Sequence, residues 1–195
     1  MFMYTLFIST FDKLITIGLL KNGTILEVLE NISNMNHSVL VMPMIDEILK
    51  NNKIETSYLN EIIVINGPGS FTGVRLGVTI AKTLAYTLNI PIKTITSLEA
   101  FAVSNKNDKN KLITISDLKG KYIGYFDKDN KMIEELKYLK NEEYYEYIND
   151  KEEYIIKQTN LDLESIYKYL KNVDSINPHI VNPIYIKGID TLNGK

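Results

Sequence analysis

Residues 62–88 constrain the fold of this chain more than any other stretch. The apolar, largely β-branched run Ile62–Ile65 reads as a buried strand ending in Asn66. A tight loop follows, carrying Gly67, Pro68, Gly69, Ser70, Phe71 and Thr72. The spacing then predicts a helix over 73–88, about four turns long. One stripe of that helix holds Leu76, Ile80, Leu84 and Leu88, and a row of small residues, Gly73, Gly77, Ala81 and Ala85, runs beside it. Val74 and Val78 widen the apolar arc, while Arg75, Thr79, Lys82 and Tyr86 form a separate polar stripe. A small-residue row lets another helix approach closely by ridge-into-groove packing. That helix belongs either to a partner protein or to this same chain, with 37–52 as the internal candidate.

The flanking sequence predicts a mixed sheet. Met3–Ile8, Leu14–Leu20 and Thr24–Leu29 are short apolar runs, and Asn22-Gly23 accepts the positive φ of a hairpin turn. A helix capped by Asn34 or Asn36 is expected to run to about Asn52. After Pro91 comes a strand at Ile92–Ile95, then a helix through Ala102 opened by a Thr96/Glu99 capping box. The order β-β-β-α-β-α-β describes a mixed sheet with helices, not an all-parallel alternation. The polar stretch Ser104–Lys111 reads as a linker, dividing the chain into 1–103 and a smaller subdomain at 104–195. In the second half, strands are expected at Leu112–Ser116, Tyr122–Phe126 and Met132–Leu139, with a turn at Asp127–Asn130. Helical segments near 142–149 and 162–171 and a closing run Val181–Ile186 complete it. No chemical motif lies in that half.

Composition removes several function classes. With a net charge of −2 and no lysine block interleaved with aromatics, the chain lacks the footprint of a protein that grips nucleic acid alone. It has no cysteine, which excludes disulfides, thiolate metal sites and a cysteine nucleophile. The apolar start Met1–Ile8 is short and lacks a basic region before it, so it reads as a first strand and not a signal peptide. No segment approaches the ~20 apolar residues of a membrane span. A cytoplasmic protein is expected.

A strand, a glycine loop and a helix start can receive an anion, because backbone N–H groups there lack partners. The known spacings fail: no lysine follows Gly73, Thr72 stands where a dinucleotide loop has its third glycine, and Ser70 is flanked by Pro68 and Thr72. A tight turn that positions the helix is the alternative. Helix 37–52 spreads Val39, Leu40, Val41, Met42, Met44, Ile45, Ile48 and Leu49 over more than one face, and Pro43 should kink it or mark an irregular first turn. Two neighbouring helices with surplus apolar surface suggest a partner protein. His37 has no second histidine four residues on, where Val41 stands, so it is either structural or an interface contact. Arg75 is the only arginine in the chain. In a first helical turn a cation opposes the dipole, so it is not there for helix stability. Its planar fork suits a carboxylate, a phosphate or backbone carbonyls, and a solvated surface arginine is the alternative.

Gly67-Pro-Gly-Ser-Phe-Thr-Gly-Val-Arg-Leu-Gly, followed by Ala81-Lys82 and Leu84-Ala85, closely resembles the signature of the TsaB (YeaZ) family. His37-Ser38-x-x-Val41-Met42-Pro43, Ile90-Pro91, Thr96-Ser97-Leu98-Glu99-Ala100 and Pro183-Ile-Tyr185-Ile-Lys187 add further matches, the last with lysine for arginine. The resemblance implies an actin-like, ribonuclease-H-like fold. It also implies a non-catalytic scaffold subunit in the synthesis of threonylcarbamoyl-adenosine in tRNA. The implied partners are a TsaD-like catalytic subunit and a TsaE-like ATPase, with tRNA reached only through the complex and a homodimer when the chain is alone. ATP and a metal would sit on those partners; no cofactor, metal or catalytic residue is assigned to this chain. The implied junction uses His37, Val41, Ile45, Gly73, Arg75, Gly77, Ala81, Lys82 and Ala85. At Ile8-Ser9-Thr10-Phe11 the chain departs from the family's Asp-Thr-Ser: Ser9 replaces the acid and Asp12 is out of register. The rival readings are an autonomous actin-like kinase or acyltransferase, a peptidase, and a stand-alone homodimeric binding module.

Overall fold

The Asn22-Gly23 turn forms as its chemistry requires, with φ of 53° and 84° at the two residues. It joins β2 (Leu14–Lys21) to β3 (Thr24–Ile32), and β1 (Tyr4–Ser9) precedes them. The structure is a computed structural model that describes residues 2–33, 37–149, 155–157 and 160–187. The expected caps Asn34 and Asn36 lie outside the described residues. Helix α1 spans His37–Asn51, β4 Leu59–Ile65, α2 Phe71–Leu88, β5 Ile92–Ile95 and α3 Ser97–Ser104. The first sheet has the order β3-β2-β1-β4-β5. Its first three strands are antiparallel, and β1–β4 and β4–β5 are parallel. This is the mixed sheet of the expected actin-like fold.

Strand periodicity assigns the two faces of that sheet. Thr10, following the even residues of β1, abuts Gly73 and Gly77 of α2. On the other side Phe7 lies beside Gly18, where an added Cβ would meet Leu163, and Phe11 packs edge-on against Phe101 of α3 with centroids 5.7 Å apart. Helices α1 and α2 therefore cover one face, and α3 with α5 (Leu163–Leu170) covers the opposite one.

Helix α1 buries Val41, Met44, Ile45, Ile48 and Leu49, a single stripe at helical spacing. Its apolar surplus reduces to Val39 and Met42, which are exposed. The expected kink does not break it: the helix runs on through Pro43, which faces solvent. Helix α2 begins two residues earlier than expected, because Ser70 caps it by accepting the Gly73 N–H at 3.3 Å. Phe71 and Thr72 thus belong to its first turn and not to the loop. The Thr96/Glu99 capping box opens α3 as expected.

A second sheet, in the order β8-β7-β6-β9, is built from β6 (Lys111–Asp117), β7 (Gly120–Phe126), β8 (Met132–Lys140) and β9 (Ile155–Lys157), with α4 (Asn141–Ile148) against it. Strand β9 goes beyond the strands expected for this half. The division expected at 103/104 falls at the end of α3, yet the later chain does not stay with the second sheet. Leu163, Ile166, Leu170 and Val181 join the main core, and the Ile176 N–H donates to Ile92 O at 2.9 Å. The closing run Val181–Ile186 is irregular chain, and its Ile184 N–H donates to Asn66 O at 2.8 Å. No described helix is long and apolar enough to cross a membrane.

Candidate functional site

The glycine loop works by close backbone approach. A Cβ at Gly69 would strike the Phe11 carbonyl, and one at Gly73 the Thr10 carbonyl. Gly67, at φ 105°, would place a Cβ 2.8 Å from Ile184 O. Hydrogen bonds exploit that proximity: the Ser70 N–H donates to Phe11 O at 2.6 Å, and the Thr10 hydroxyl donates to Gly73 O at 2.7 Å. Ser97 ties in α3, its hydroxyl donating to Pro68 O at 2.6 Å and its N–H to Gly67 O at 2.8 Å. The loop is a junction of four chain segments, tied together as a tight turn requires.

Most residues expected at a partner junction lie inside the subunit. Gly73 and Gly77 are buried against Thr10, just beyond β1, and Ala81 and Ala85 are buried at 0% and 1% exposure. Val41 and Ile45 are buried at 0% and 3%. A residue without surface cannot dock a partner, so these six assignments are corrected: the glycines of the small row admit Thr10, and the alanines are closed within the subunit. His37 is also structural. Its Nε2–H donates to Asp12 O at 2.8 Å, and Nδ1 is hydrogen-bonded to the Ser33 hydroxyl at 3.2 Å.

Arg75 and Lys82 remain on the surface side of α2, and the C-terminal segment meets them there. The Arg75 Nε–H donates to Tyr185 Oη at 2.8 Å, while the guanidinium lies 4.0 Å from the Phe71 ring centroid. Phe71 and Tyr185 pack at 5.2 Å, so two aromatics and one hydrogen bond hold the fork in place. Further along the helix, the Lys82 ammonium donates to His179 O at 3.2 Å, and the His179 ring packs against Tyr86 at 4.8 Å. Between helix and segment lies a groove of about 480 Å³, lined by Arg75, Thr79, Lys82, Asn182, Pro183 and Tyr185 among others. Its described lining has two cations and no acid. Of the lining residues, the sequence assigns only Arg75 and Lys82 to a site; Thr79, Asn182, Pro183 and Tyr185 are additions, although the Pro183–Lys187 element stands out in the sequence.

The segment is anchored from the second sheet. The Lys187 ammonium donates to Asp117 Oδ2 at 2.8 Å, and the Tyr138 hydroxyl donates to the same oxygen at 3.2 Å. Burial is the largest single influence and opposes both charges, but the mutual hydrogen bond and attraction, together with the other bonds and charges around the pair, outweigh it. Asp117 is held below the usual carboxylate range and Lys187 above the usual lysine range.

On the opposite face of the sheet lies a cleft of about 320 Å³. Ser9 pairs with Thr16 across β1–β2, and Thr16 with Glu30 across β2–β3, which sets three polar side chains in one row. The Thr16 hydroxyl donates to Glu30 Oε1 at 3.2 Å. Asp12 joins the row and accepts the Leu14 N–H at 2.7 Å; Phe11, Leu14, Phe101 and Leu161 form apolar walls. Two carboxylates and no basic side chain line the described cleft. No basic side chain there would neutralise a bare phosphate, which would meet like charge.

A family model described as TsaD, tRNA N6-adenosine threonylcarbamoyltransferase, matches residues 28–135. A tRNA threonylcarbamoyladenosine biosynthesis protein TsaB from Bacillus subtilis is 36% identical over 136 residues, covering 69% of this chain and 59% of that one. The chain thus spans less than two thirds of that relative's length. Two solved Pseudomonas aeruginosa structures share the fold at 18% identity. One, an uncharacterized protein with similarity to peptidase YEAZ, gives a TM-score of 0.79 over 95% of this chain and 100% of the other. The second, YeaZ, gives 0.76 over 93% and 100%.

Proposed function

The chain belongs to the TsaB (YeaZ) family, a branch of the wider group that includes TsaD, tRNA N6-adenosine threonylcarbamoyltransferase, and from that premise we propose that it is an accessory, non-catalytic subunit of a tRNA threonylcarbamoylation machinery. In this reading it docks on a TsaD-like catalytic subunit, works with a TsaE-like ATPase, and approaches tRNA only through that complex in the cytoplasm. ATP and the metal belong to the partner subunits, and the chain self-associates when alone.

The observation that carries the reading is the outward side of α1 and α2. Val39, Met42, Phe71 and Tyr86 are exposed on these helices at 67%, 47%, 43% and 64%, and Phe71 packs with Tyr185 against an arginine already held in one orientation. Exposed aromatics around a fixed guanidinium have the make-up of an interface anchor. The docking residues are then Phe71, Arg75, Lys82, Tyr86 and Tyr185 with Val39 and Met42, in place of the buried row. The cleft lining, which offers no basic side chain to a bare phosphate, supports an accessory role.

Co-purification with the TsaD-like protein of the same organism, followed by a tRNA modification assay omitting one component at a time, tests the proposal. A stable complex and loss of modification without this chain are expected. Full modification in its absence would overturn the reading.

A further inference from the structure

The cleft on the α3/α5 face has a feature that the docking role leaves unused. Ser9 is 1% exposed, and its Oγ is buried without a hydrogen-bond partner. A buried hydroxyl without a partner is costly, and such groups are otherwise rare. Ser9 lines the cleft at the inner end of the Ser9–Thr16–Glu30 row, with the Asp12 carboxylate nearby. Beyond the polar row stand Phe101 and Leu161, both cleft-lining. At about 320 Å³ the space is at the small end of ligand pockets.

We propose that this cleft binds a small organic ammonium ion, its –NH3+ group held by Ser9, Asp12 and Glu30 and its carbon body against Phe101 and Leu161. The chemistry is selective in both directions. A primary ammonium has three donors and no acceptor, and the row supplies carboxylate and hydroxyl acceptors, including the orphan one. Charge-assisted hydrogen bonds of this kind are about twice as strong as neutral ones. A phosphate or carboxylate ligand would bring acceptors to acceptors and negative charge to two carboxylates. A divalent cation would find apolar walls instead of a closed oxygen shell, since the described residues gather no three metal-type ligands.

The test uses the full chain at low ionic strength, titrated calorimetrically with 1,4-diaminobutane, magnesium chloride or ATP in separate arms. Saturable diamine binding is expected, with affinity at least tenfold weaker in both Glu30→Gln and Ser9→Val. Asp12→Asn, which keeps an acceptor for the Leu14 N–H, serves as a further variant should either of those fail to fold. Circular dichroism melts identify the folded variants. Absence of diamine binding overturns the proposal. So does binding unchanged in the folded variants, or magnesium or ATP binding that the same substitutions abolish while the diamine gives none.

Discussion

Thr10 lies directly beneath Gly77. Its hydroxyl donates to the Gly73 carbonyl at 2.7 Å, and a Cβ at Gly77 would fall on that same hydroxyl oxygen. The helix and the end of β1 are therefore in contact at the backbone, with no room for a methyl group. Gly77→Ala and Gly77→Leu should destabilise the isolated subunit, by about 1–3 kcal/mol for overpacking and more for leucine. Thr10→Val, which removes the donor and keeps the shape, should cost about 0.5–1.5 kcal/mol. Urea denaturation of the subunit alone checks both. Wild-type stability in Gly77→Leu would mean that α2 can move away from β1.

The surface side of the same helix should behave in the opposite way. Arg75→Lys keeps the charge but loses the Nε–H bond to Tyr185 and the flat contact with Phe71. Tyr185→Phe keeps the ring against Phe71 and removes only the acceptor. Exposed substitutions of this kind usually stay within about 0.5 kcal/mol in stability. Binding to the TsaD-like subunit should fall at least tenfold in Arg75→Lys and less in Tyr185→Phe. Surface plasmon resonance with unchanged affinity in both would return Arg75 to a solvated surface role.

Lys111 gives a prediction in the alkaline range. It is 1% exposed, and its ammonium donates to Ala102 O at 3.0 Å, Asn105 O at 2.9 Å and Asn130 Oδ1 at 2.5 Å. Burial lowers its pKa, outweighing the attraction of Asp127, Asp108 and Asp129. The unfolded chain therefore binds more protons between the lowered folded value and 10.5, so this group makes stability rise with pH across that window. Lys111→Met should lose this slope and cost about 1–3 kcal/mol near neutral pH, because three acceptors lose their donor. Urea midpoints of both proteins at pH 8 and pH 10 show whether the difference between them grows.

What the sequence made legible was local, and what it hid was long-range. The Asn22-Gly23 turn, the Thr96/Glu99 box and the small-residue row each depend on neighbours a few residues away, and each is present in the fold. The order of elements then suffices for the mixed sheet. The row's partner could not be read, since a groove for a helix and a groove for a strand end require the same small residues. Only the fold brings Thr10 to Gly77 across more than sixty residues. The Arg75 clamp depends on Tyr185, 110 residues away, in a segment that runs as irregular chain along α2. The cleft row Ser9–Thr16–Glu30 is a matter of strand register, which no run of consecutive residues displays.

The Asp117–Lys187 pair links the second sheet to the Arg75 clamp, because Lys187 lies two residues beyond Tyr185. The side chains are 28% and 13% exposed, so the pair is partly shielded from water. For Asp117 the folded pKa is depressed; its stabilisation is complete above the unfolded value near 3.8 and is lost as pH falls through the lower folded value. For Lys187 the folded pKa is raised; its stabilisation is complete below 10.5 and is lost as pH rises through the higher folded value. Between those limits the lock is closed. Asp117→Asn should cost about 1.5–3 kcal/mol at neutral pH, the range for a hydrogen bond to a charged group, and should flatten the acid limb of the stability curve. Because the freed Lys187 no longer holds the segment, Tyr185 should release Arg75, and binding to the TsaD-like subunit should weaken although neither residue 117 nor 187 belongs to the docking side of α2. Chemical denaturation between pH 3 and pH 8, paired with binding at neutral pH, separates the two effects. A loss of stability with unaltered binding would show that the clamp stands without its anchor.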